Sequence, residues 1–299
     1  MNQNFALLRA SVPTVSQIQS YIQSDSFFRI KPGANTRVGL TDVVFPKSTN
    51  WNFNEWRKSL LDIKLQTDPW PHLISENFLP PGVYSQLIRG LPRGPKPLSS
   101  PSRTWVTSTP EFFKDGESKK FFFNSEEEKH WWGTETLITL SELTCAFIDR
   151  TTFINLWRLF KPVVPKEIAL RDDETLLVQV RITHDRDDYD LDVHLDLPEK
   201  FLSILVYLPL DTTSTAGGTS IYKPKPEYLS ELTTTEYKGY KYFPTSMFNL
   251  EKKIPFAPNI GFVFLRTDES WHGKPINPME FREDRFTLQI NYFRKHKNI

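Results

Sequence analysis

His194-Leu195-Asp196 is the stretch around which this chain is organised, because it sets two metal-binding side chains two positions apart. In an extended strand alternate residues face the same side, so the imidazole and the carboxylate point in one direction. A second histidine follows in Ser270-Trp271-His272-Gly273. Two histidines and one carboxylate hold one side of a metal ion and leave the other side open, which suits a non-haem Fe(II) site. A closed structural zinc site would instead need four protein ligands.

The sequence around this stretch is typical of a β protein with long loops. Short segments rich in apolar residues, separated by Gly, Pro and Asp turns, predict an antiparallel sandwich or barrel, and cupin-type jelly rolls have this pattern. The predicted strands are Thr36–Phe45, Thr175–Thr183, Phe201–Leu210, Ile260–Leu265 and Phe286–Phe293, with a turn-rich link at Thr212–Thr219.

The last predicted strand has one polar face and one apolar face. Arg285, Thr287, Gln289 and Asn291 share the polar face, which indicates an internal pocket. Arg285 with a hydroxyl two residues later is suited to bind a carboxylate, because a guanidinium makes charge-assisted, bidentate contacts and the hydroxyl adds a donor. Arg282, in the charged loop before the strand, is the competing candidate.

Helices are predicted mainly in the N-terminal half. Asn54–Leu65 is predicted as a short helix capped by Asn54, and Pro81–Arg89 as a second helix with Pro at its start. Thr139–Phe160 is the longest prediction, with a capping box at Thr139 and an apolar stripe that faces the outside of a sheet. Asp149 interrupts that stripe, but we expect the helix to continue through it.

Three other segments have competing interpretations. Proline-rich Leu91–Arg103 is predicted to be an exposed loop, with a domain linker as the alternative. The aromatic run His130–Gly133 either packs against the core or forms a wall on the substrate side. The acidic run from Asp185 to Asp192 is either a solvated loop or an acidic rim for a cationic substrate. His184, just before this run, is interpreted as a loop or surface histidine.

Composition excludes several classes of protein. The net charge of +1 over 299 residues provides no overall field to attract nucleic acid or anionic membranes. A single cysteine, Cys145, cannot form an internal disulfide, and neither a signal peptide nor an apolar span of about 18 residues is recognisable. We therefore expect a cytoplasmic protein with no nucleic-acid or membrane partner, and its oligomeric state stays open.

In combination, these motifs resemble those of the Fe(II)/2-oxoglutarate-dependent oxygenase (dioxygenase) superfamily. The resemblance covers the last two-fifths of the chain, and it rests on the set of motifs and not on any single one. The matching pieces are His194-Leu195-Asp196, Ser203-Ile-Leu-Val-Tyr-Leu-Pro209, Gly217-Gly218-Thr219-Ser-Ile-Tyr222, Pro258-Asn-Ile-Gly261, Ser270-Trp-His-Gly273 and Arg285-Phe-Thr287.

The resemblance implies a fold, a set of ligands and a reaction. The fold is a mainly β, jelly-roll (cupin-like) barrel, the double-stranded β-helix, with flanking helices. His194, Asp196 and His272 would bind Fe(II), and Arg285 and Thr287 would bind the far carboxylate of the co-substrate 2-oxoglutarate, with O2 as the second co-substrate. Hydroxylation with release of succinate and CO2 is the commonest outcome in the family, although desaturation and cyclisation stay open. Halogenation is disfavoured because halogenating relatives lack the carboxylate ligand.

Tyr207 and Arg181 lie on strands that can face the same pocket. Each either contacts 2-oxoglutarate or substrate or packs structurally; we count Tyr207 among the candidate co-substrate contacts.

The resemblance also implies a division of the chain. We expect one oxygenase domain over 1–299, in which 1–174 is a helical and loop-rich part that supports the barrel and the substrate side, and 175–294 is the core. The expected substrate is a small or medium organic molecule, such as an amino acid, a peptide, a sugar or a natural-product intermediate. The alternative is a non-catalytic jelly-roll binding protein, but the intact triad and the Arg-x-Thr pair favour the enzyme.

Overall fold

The strands of this protein pair into two antiparallel sheets. A computed structural model describes residues 28–30, 51–93, 102–108, 121–123, 128, 131–170, 174–186, 189–212, 215–233, 242–274 and 285–294. The predicted strand Thr36–Phe45 lies outside these residues. The strands are β1 (Phe28–Ile30), β2 (Leu65–Gln66), β3 (His72–Ser75), β4 (Arg103–Ser108), β5 (Phe121–Phe123), β6 (Leu176–Asp185), β7 (Leu191–His194), β8 (Lys200–Tyr207), β9 (Ser220–Pro224), β10 (Tyr242–Phe243), β11 (Phe248–Lys253), β12 (Gly261–Leu265), β13 (His272–Lys274) and β14 (Arg285–Arg294).

The strands from β6 to β14 pair in the order of a jelly roll. β6 pairs with β14, β7 with β13, β8 with β12 and β9 with β11. The chain is therefore a long double-stranded ribbon that turns back between β9 and β11. β6, β14, β8 and β12 lie in the larger sheet, and β7, β13, β9 and β11 lie in the smaller one. This pairing is that of a double-stranded β-helix, and it confirms the predicted mainly β, jelly-roll fold with flanking helices.

Strands from the first part of the chain extend the larger sheet at both of its edges. At one edge β3 pairs with β12, and β2 pairs with the outer side of β3. At the other edge β4 pairs with β6, and β5 pairs with β4. The N-terminal part therefore supplies strands as well as helices to the sheet that faces the predicted site. The expectation of a single domain over 1–299, divided at residue 174, stays a prediction.

The two faces of the larger sheet differ as the sequence predicts. Phe286, Leu288, Ile290 and Tyr292 of β14 are buried in the main core, which also contains the apolar sides of the helices. Each large apolar side chain buried in this way stabilises the fold by about 1.5–3 kcal/mol. The hydroxyl of Tyr292 also donates a 2.7 Å hydrogen bond to the carbonyl of Phe147. The opposite, polar face of β14 is consequently turned to the space between the two sheets.

Among the described residues, four α-helices pack on the outer face of the larger sheet, and a short fifth one packs against the smaller sheet. No helix in the described part of the chain is long and apolar enough to span a bilayer. The α-helices are α1 (Phe53–Ser59), α2 (Pro81–Gly90), α3 (Thr134–Ile148), α4 (Arg150–Phe160) and α5 (Leu229–Thr233).

The predicted single helix over Thr139–Phe160 is wrong, because Asp149 divides it into α3 and α4. The backbone of Asp149 is extended, with ψ of 125°, and its carboxylate accepts a 2.8 Å hydrogen bond from the amide of Thr151. An aspartate that caps a new helix outweighs an apolar pattern that continues across it. Thr139 lies inside α3, where its hydroxyl donates to the carbonyl of Glu135 instead of capping a helix.

The two earlier helices are close to their predicted positions. α1 begins at Phe53 and is capped by Asn52 instead of Asn54; it ends at Ser59, and the chain then tightens into a 3-10 turn over Leu60–Asp62. The sequence pattern does not separate these elements, because the apolar spacing continues through both. α2 starts at Pro81 as predicted, and it includes Gly90 as its last residue.

The predicted turn before β9 depends on two glycines. Gly217 has φ of 85°, a left-handed conformation that glycine adopts without steric cost. Gly218 approaches the neighbouring chain so closely that an added Cβ would lie 1.7 Å from the carbonyl oxygen of Ile254. This turn places Thr219 in the space between the sheets.

Candidate metal centre and carboxylate pocket

His194, Asp196 and His272 come together between the two sheets. His194 ends β7, Asp196 follows in the connection to β8, and His272 begins β13 directly opposite His194 in the strand register. The ring centroids of the two histidines are 4.4 Å apart, and one possible ligand atom from each of the three residues lies within 4.8 Å of the others. All three are buried. The geometry therefore brings together the three residues that the sequence predicted.

Both histidines are oriented by a backbone carbonyl two residues earlier. Nδ1 of His194 lies 2.9 Å from the carbonyl oxygen of Asp192, and Nδ1 of His272 lies 2.9 Å from that of Ser270. A carbonyl oxygen only accepts, so Nδ1 carries the proton in each ring and Nε2 carries the lone pair. A hydrogen bond of this kind fixes the tautomer and the ring orientation of a metal-binding histidine.

Burial keeps these imidazoles neutral. Burial, assisted by the neighbouring His272, lowers the pKa of His194 to about 3, and burial also lowers the pKa of His272. Burial alone would raise the pKa of Asp196, but Lys200 and the two histidines hold it well below its usual range. At neutral pH the group therefore consists of two neutral imidazoles and one carboxylate, which are the protonation states that a metal ion requires.

Both carboxylate oxygens of Asp196 are engaged by neighbouring side chains. Nζ of Lys200 donates to Oδ1 at 2.7 Å, and the hydroxyl of Ser203 donates to Oδ2 at 2.7 Å. Nε of Arg266 donates to the backbone carbonyl of Asp196 at 3.2 Å. The sequence prediction missed these partners. Ser203 was the one within reach of sequence reasoning, because it lies on β8 with the same parity as Tyr207 and interrupts an otherwise apolar strand.

An aromatic wall adjoins the triad. Phe264 contacts His272, with ring centroids 4.6 Å apart, and it stacks on Phe262 at 4.8 Å. Trp70 packs against both phenylalanines, and its neighbour His72 lies beside Phe262. Nε1 of Trp70 and Nε2 of His72 are buried, and neither makes a hydrogen bond within the described residues. No sequence motif indicates this wall, since Trp70 and His72 lie among prolines in the N-terminal half.

Arg285 and Thr287 lie on the inner face of β14, as predicted, and both are buried. Nη1 of Arg285 donates to Oδ2 of Asp185 at 2.8 Å, and the guanidinium lies over the ring of Tyr207, 5.4 Å from its centroid. Nε of Arg285 and the hydroxyl oxygen of Thr287 make no hydrogen bond within the described part of the chain. Buried polar atoms of this kind are costly without a partner, so the pair fits an added acceptor such as a carboxylate. Arg282 lies outside the described residues.

Tyr207 faces the same pocket with its ring, while its hydroxyl is held by Thr219. The hydroxyl donates to Oγ1 of Thr219 at 2.7 Å and accepts from the amide of Thr219 at 3.0 Å. Direct contact between this hydroxyl and a co-substrate stays a prediction. Arg181 donates to the side-chain oxygen of Gln289 from Nε at 2.9 Å.

The acidic run does not begin as a solvated loop, because β6 extends through Asp185. This residue is fully buried and pairs with both Arg103 and Arg285. Burial alone would raise the pKa of Asp185, but the two arginines and Lys274 lower it to about 2. Further along, Asp190 is exposed, and 187–188 lie outside the described residues. Asp185 therefore belongs neither to a solvated loop nor to an acidic rim, because its charge is neutralised inside the protein. For Asp190 and Asp192 both interpretations stay predictions.

His184 is also not a surface residue. It is fully buried on the outer face of β6, with its ring centroid 4.8 Å from that of Trp131 and 4.6 Å from that of Phe286. Trp132 is buried against the same Phe286. The two tryptophans therefore pack on the core, as the first interpretation of this aromatic run predicted, on the face of the sheet away from the triad.

Comparison with solved structures finds distant likenesses. The chain is similar to the Fe(II)/(alpha)ketoglutarate-dependent dioxygenase TqaL at 12% identity, over 81% of this chain and 86% of that chain, with a TM-score of 0.39. It is similar to a dioxygenase for auxin oxidation in rice at 11% identity, over 80% and 77%, with a TM-score of 0.39. It is also similar to an oxidoreductase of the 2OG-Fe(II) oxygenase family from Burkholderia pseudomallei at 11% identity, over 85% and 95%, with a TM-score of 0.35.

Searches by sequence gave no match to a family model and no match to a curated protein. The strand pairing and the side chains themselves define the class: a jelly-roll protein with a buried His-Asp-His group between its sheets.

Proposed function

We propose that this protein is a non-haem Fe(II)/2-oxoglutarate-dependent oxygenase. The observation that carries the proposal is the buried group of His194, Asp196 and His272, whose ligand atoms lie within 4.8 Å of one another. The reaction we propose is hydroxylation of an unactivated C–H bond in a small or medium organic substrate, such as an amino acid, a peptide, a sugar or a natural-product intermediate, with release of succinate and CO2.

The side chains of the triad fit Fe(II). Two neutral imidazoles and one carboxylate form the facial set that non-haem Fe(II) oxygenases use, and it leaves coordination positions for a co-substrate and O2. The orientation of both rings by backbone carbonyls supports the same role, because such contacts raise the basicity of a ligand histidine.

The second pocket fits the far carboxylate of 2-oxoglutarate. Arg285 and Thr287 contribute a buried guanidinium Nε and a buried hydroxyl that make no hydrogen bond within the described residues. A carboxylate would accept from both, and its charge would offset part of the positive charge of half-buried Arg103 and of buried Lys274 and Arg285, which exceeds the negative charge of Asp185.

Each part of the site has a physical task in this mechanism. The bound Fe(II), together with 2-oxoglutarate and O2, would supply the oxidising chemistry that puts oxygen into the substrate C–H bond. His194, Asp196 and His272 hold one side of the ion, and Ser203 and Lys200 fix the carboxylate. Arg285 and Thr287 orient the co-substrate by its distal end.

The aromatic wall serves the substrate side. Phe264, Phe262 and Trp70 exclude water from the space beside His272, which strengthens the electrostatic interactions inside the site. We place the substrate against this wall because Phe264 directly adjoins a triad residue, His272.

The test is co-substrate turnover. The purified protein, supplied with Fe(II), ascorbate, O2 and 2-oxoglutarate, is expected to release succinate, slowly alone and faster with a metabolite pool that contains the substrate. Asp196→Ala should reduce succinate to background, and Asp62→Ala, which changes an exposed aspartate on the 3-10 turn after α1, should not. Untargeted mass spectrometry for a product that has gained one oxygen atom would then identify the substrate. Absence of succinate with every pool, from protein that binds no 2-oxoglutarate, would favour the non-catalytic binding protein.

A further inference from the structure

We propose that Arg103 is a positioning residue for the co-substrate, and that it acts through Asp185 to keep Arg285 able to bind the distal carboxylate. This inference rests on the proposed function, because it assigns a task within the same pocket. Arg103 belongs to β4, which lies outside the eight paired strands of the jelly roll, and it does not reach the triad itself.

The three residues form a ladder across neighbouring strands. Arg103 of β4 lies opposite Asp185 of β6, and Asp185 lies opposite Arg285 of β14. Nε of Arg103 makes an ion pair with Oδ1 of Asp185 at 2.7 Å, and its Nη2 donates to Oδ2 at 3.4 Å. Arg103 therefore holds Asp185 with two nitrogens, whereas Arg285 reaches it with Nη1 alone.

Arg103 is itself anchored on its far side. Its Nη1 donates to the hydroxyl of Tyr189 at 2.9 Å, and its guanidinium lies over the ring of Tyr189, 4.5 Å from the centroid. This contact restrains the guanidinium of Arg103 beside Asp185.

The two arginines compete for the carboxylate of Asp185, and this competition determines which donors of Arg285 stay available to a ligand. A guanidinium prefers a bidentate pair with a carboxylate when both oxygens are accessible. Nε of Arg103 lies beside Oδ1 as an ion-pair partner at 2.7 Å, without hydrogen-bond geometry, and both hydrogen bonds from the two arginines go to Oδ2. Arg285 therefore contacts Asp185 through Nη1 alone, and its Nε makes no hydrogen bond within the described residues. If Arg103 is removed, Asp185 can accept hydrogen bonds from both Nη1 and Nε of Arg285. It then competes with the carboxylate of a ligand for these donors.

The formal charge of the three residues also predicts that loss of Arg103 weakens the binding of a carboxylate. Arg103, Asp185 and Arg285 together carry a formal charge of +1, and Arg103→Met lowers it to zero. Arg103→Met combined with Asp185→Asn returns it to +1 and also removes the competing carboxylate. The single variant should therefore bind a carboxylate poorly, and the double variant should recover. A purely structural role for Arg103 predicts the reverse, because the double variant loses more contacts.

The experiment measures 2-oxoglutarate binding by calorimetry, with Mn(II) in place of Fe(II). Relative to the unmodified protein, Arg103→Met should raise the Kd for 2-oxoglutarate by about tenfold or more, the effect of one nearby charge at an effective dielectric constant near 20. The double variant should return to within about threefold, and Arg103→Lys, which keeps a cation beside Oδ1, should retain most of the affinity. Arg158→Met, which changes an exposed arginine on α4, is the matched control.

A second ligand distinguishes a positioning role of Arg103 from a general loss of structure in the variant. 2-Oxobutyrate has the keto-acid end but lacks the distal carboxylate, so Arg103→Met should leave its affinity unchanged, as it should that of Mn(II). Equal 2-oxoglutarate affinity in Arg103→Met and the unmodified protein, or a double variant as weak as the single one, would overturn this inference. Failure of the unmodified protein to bind 2-oxoglutarate at all would instead refute the proposed function.

Discussion

The hydroxyl of Ser203 donates a 2.7 Å hydrogen bond to Oδ2 of Asp196 and thereby fixes one oxygen of the proposed ligand carboxylate. Partners of this kind typically change metal affinity by 10- to 100-fold when they are removed. We expect Ser203→Ala to weaken Mn(II) or Fe(II) binding by about tenfold, measured by titration under anaerobic conditions, without loss of the fold.

The matched control for that variant is Ser230→Ala, which changes an exposed serine on α5 and should bind metal like the unmodified protein. If Ser203→Ala binds metal with full affinity, Asp196 does not depend on Ser203 for its orientation.

Replacing Lys200 should have the opposite effect on metal affinity from replacing Ser203. Its ammonium lies 2.7 Å from Oδ1 of Asp196, so it competes electrostatically with a divalent cation for the same carboxylate. We expect Lys200→Met to tighten Mn(II) binding on the order of tenfold. The same change should lower the free energy of unfolding of the metal-free protein, because a buried carboxylate loses its partner.

Titration calorimetry and urea denaturation measure these two opposing effects of Lys200→Met, with exposed Lys223→Met as the control. Weaker metal binding in Lys200→Met would mean that Lys200 orients Asp196 more than it repels the ion.

The triad residues should each be indispensable. His194→Ala, Asp196→Ala and His272→Ala each remove one of three protein ligands, so each should lower metal affinity by at least about 100-fold and reduce succinate release to background. His184→Ala provides the contrast, since it lies on the other face of the sheet between Trp131 and Phe286. It should lower the melting temperature and keep metal affinity; an active His194→Ala variant would contradict the assignment.

Arg285→Gln should separate co-substrate binding from metal binding. The change removes the cation that we expect to pair with the distal carboxylate, while the triad is untouched. We expect the KM for 2-oxoglutarate to rise by about 100-fold, the loss of a charge-assisted bidentate contact, with metal affinity unchanged. A parallel loss of metal affinity would show that Arg285 is misassigned and would direct attention to Arg282.

The buried histidines predict how stability depends on pH. Burial lowers the pKa of His194 to about 3 and also lowers that of His272, whereas an unfolded chain has a histidine pKa of about 6.5. Below about pH 6.5 the unfolded state therefore binds more protons than the folded state. The free energy of unfolding of the metal-free protein should consequently fall with falling pH, by up to about 1.4 kcal/mol per pH unit for each histidine.

Above about pH 6.5 the two histidines should no longer change the free energy of unfolding with pH, because they are neutral in both the folded and the unfolded state. The carboxylates add a separate loss at lower pH: the pKa of Asp185 is lowered to about 2, so its stabilisation is lost only as the pH falls below about 4. Urea unfolding of the metal-free protein between about pH 5 and 8 measures the first effect. His272→Gln should flatten the slope, and an unchanged slope would contradict a neutral His272.

The pairing of His194 with Asp196 could be predicted from sequence because the two residues are only two positions apart, even though β7 ends at His194 and Asp196 lies in the connection that follows. The ladder of Arg103, Asp185 and Arg285 could not. Its members are about a hundred residues apart along the chain, with separations of 82 and 100, and only strand pairing brings them together. Strand ends are also poorly marked in sequence: two further residues of β6 decide whether Asp185 is a solvated charge or a buried ion-pair partner.

Arg103 shows a second limit of sequence-based prediction. The proline-rich stretch that it ends predicts a loop, although Arg103 begins β4. Nothing near it in the sequence indicates a sheet edge, because its partner strand β6 comes much later. Asp149 shows a third limit, since the same residue type can interrupt an exposed helix face harmlessly or cap a new helix, as it does here.

The position of β14 has a consequence for folding kinetics. β14 lies between β6 and β8, so the larger sheet has unpaired inner edges until residues 285–294 are in place. Pairings with separations near 100 residues carry a large loop-closure entropy, and proteins dominated by them fold slowly. Arg285 and the Tyr292 that anchors α3 arrive with the same strand, so we expect the co-substrate pocket and the outer core to form in one late, cooperative step. Before that step, the exposed edges of β6 and β8 are the places where a newly made chain would aggregate.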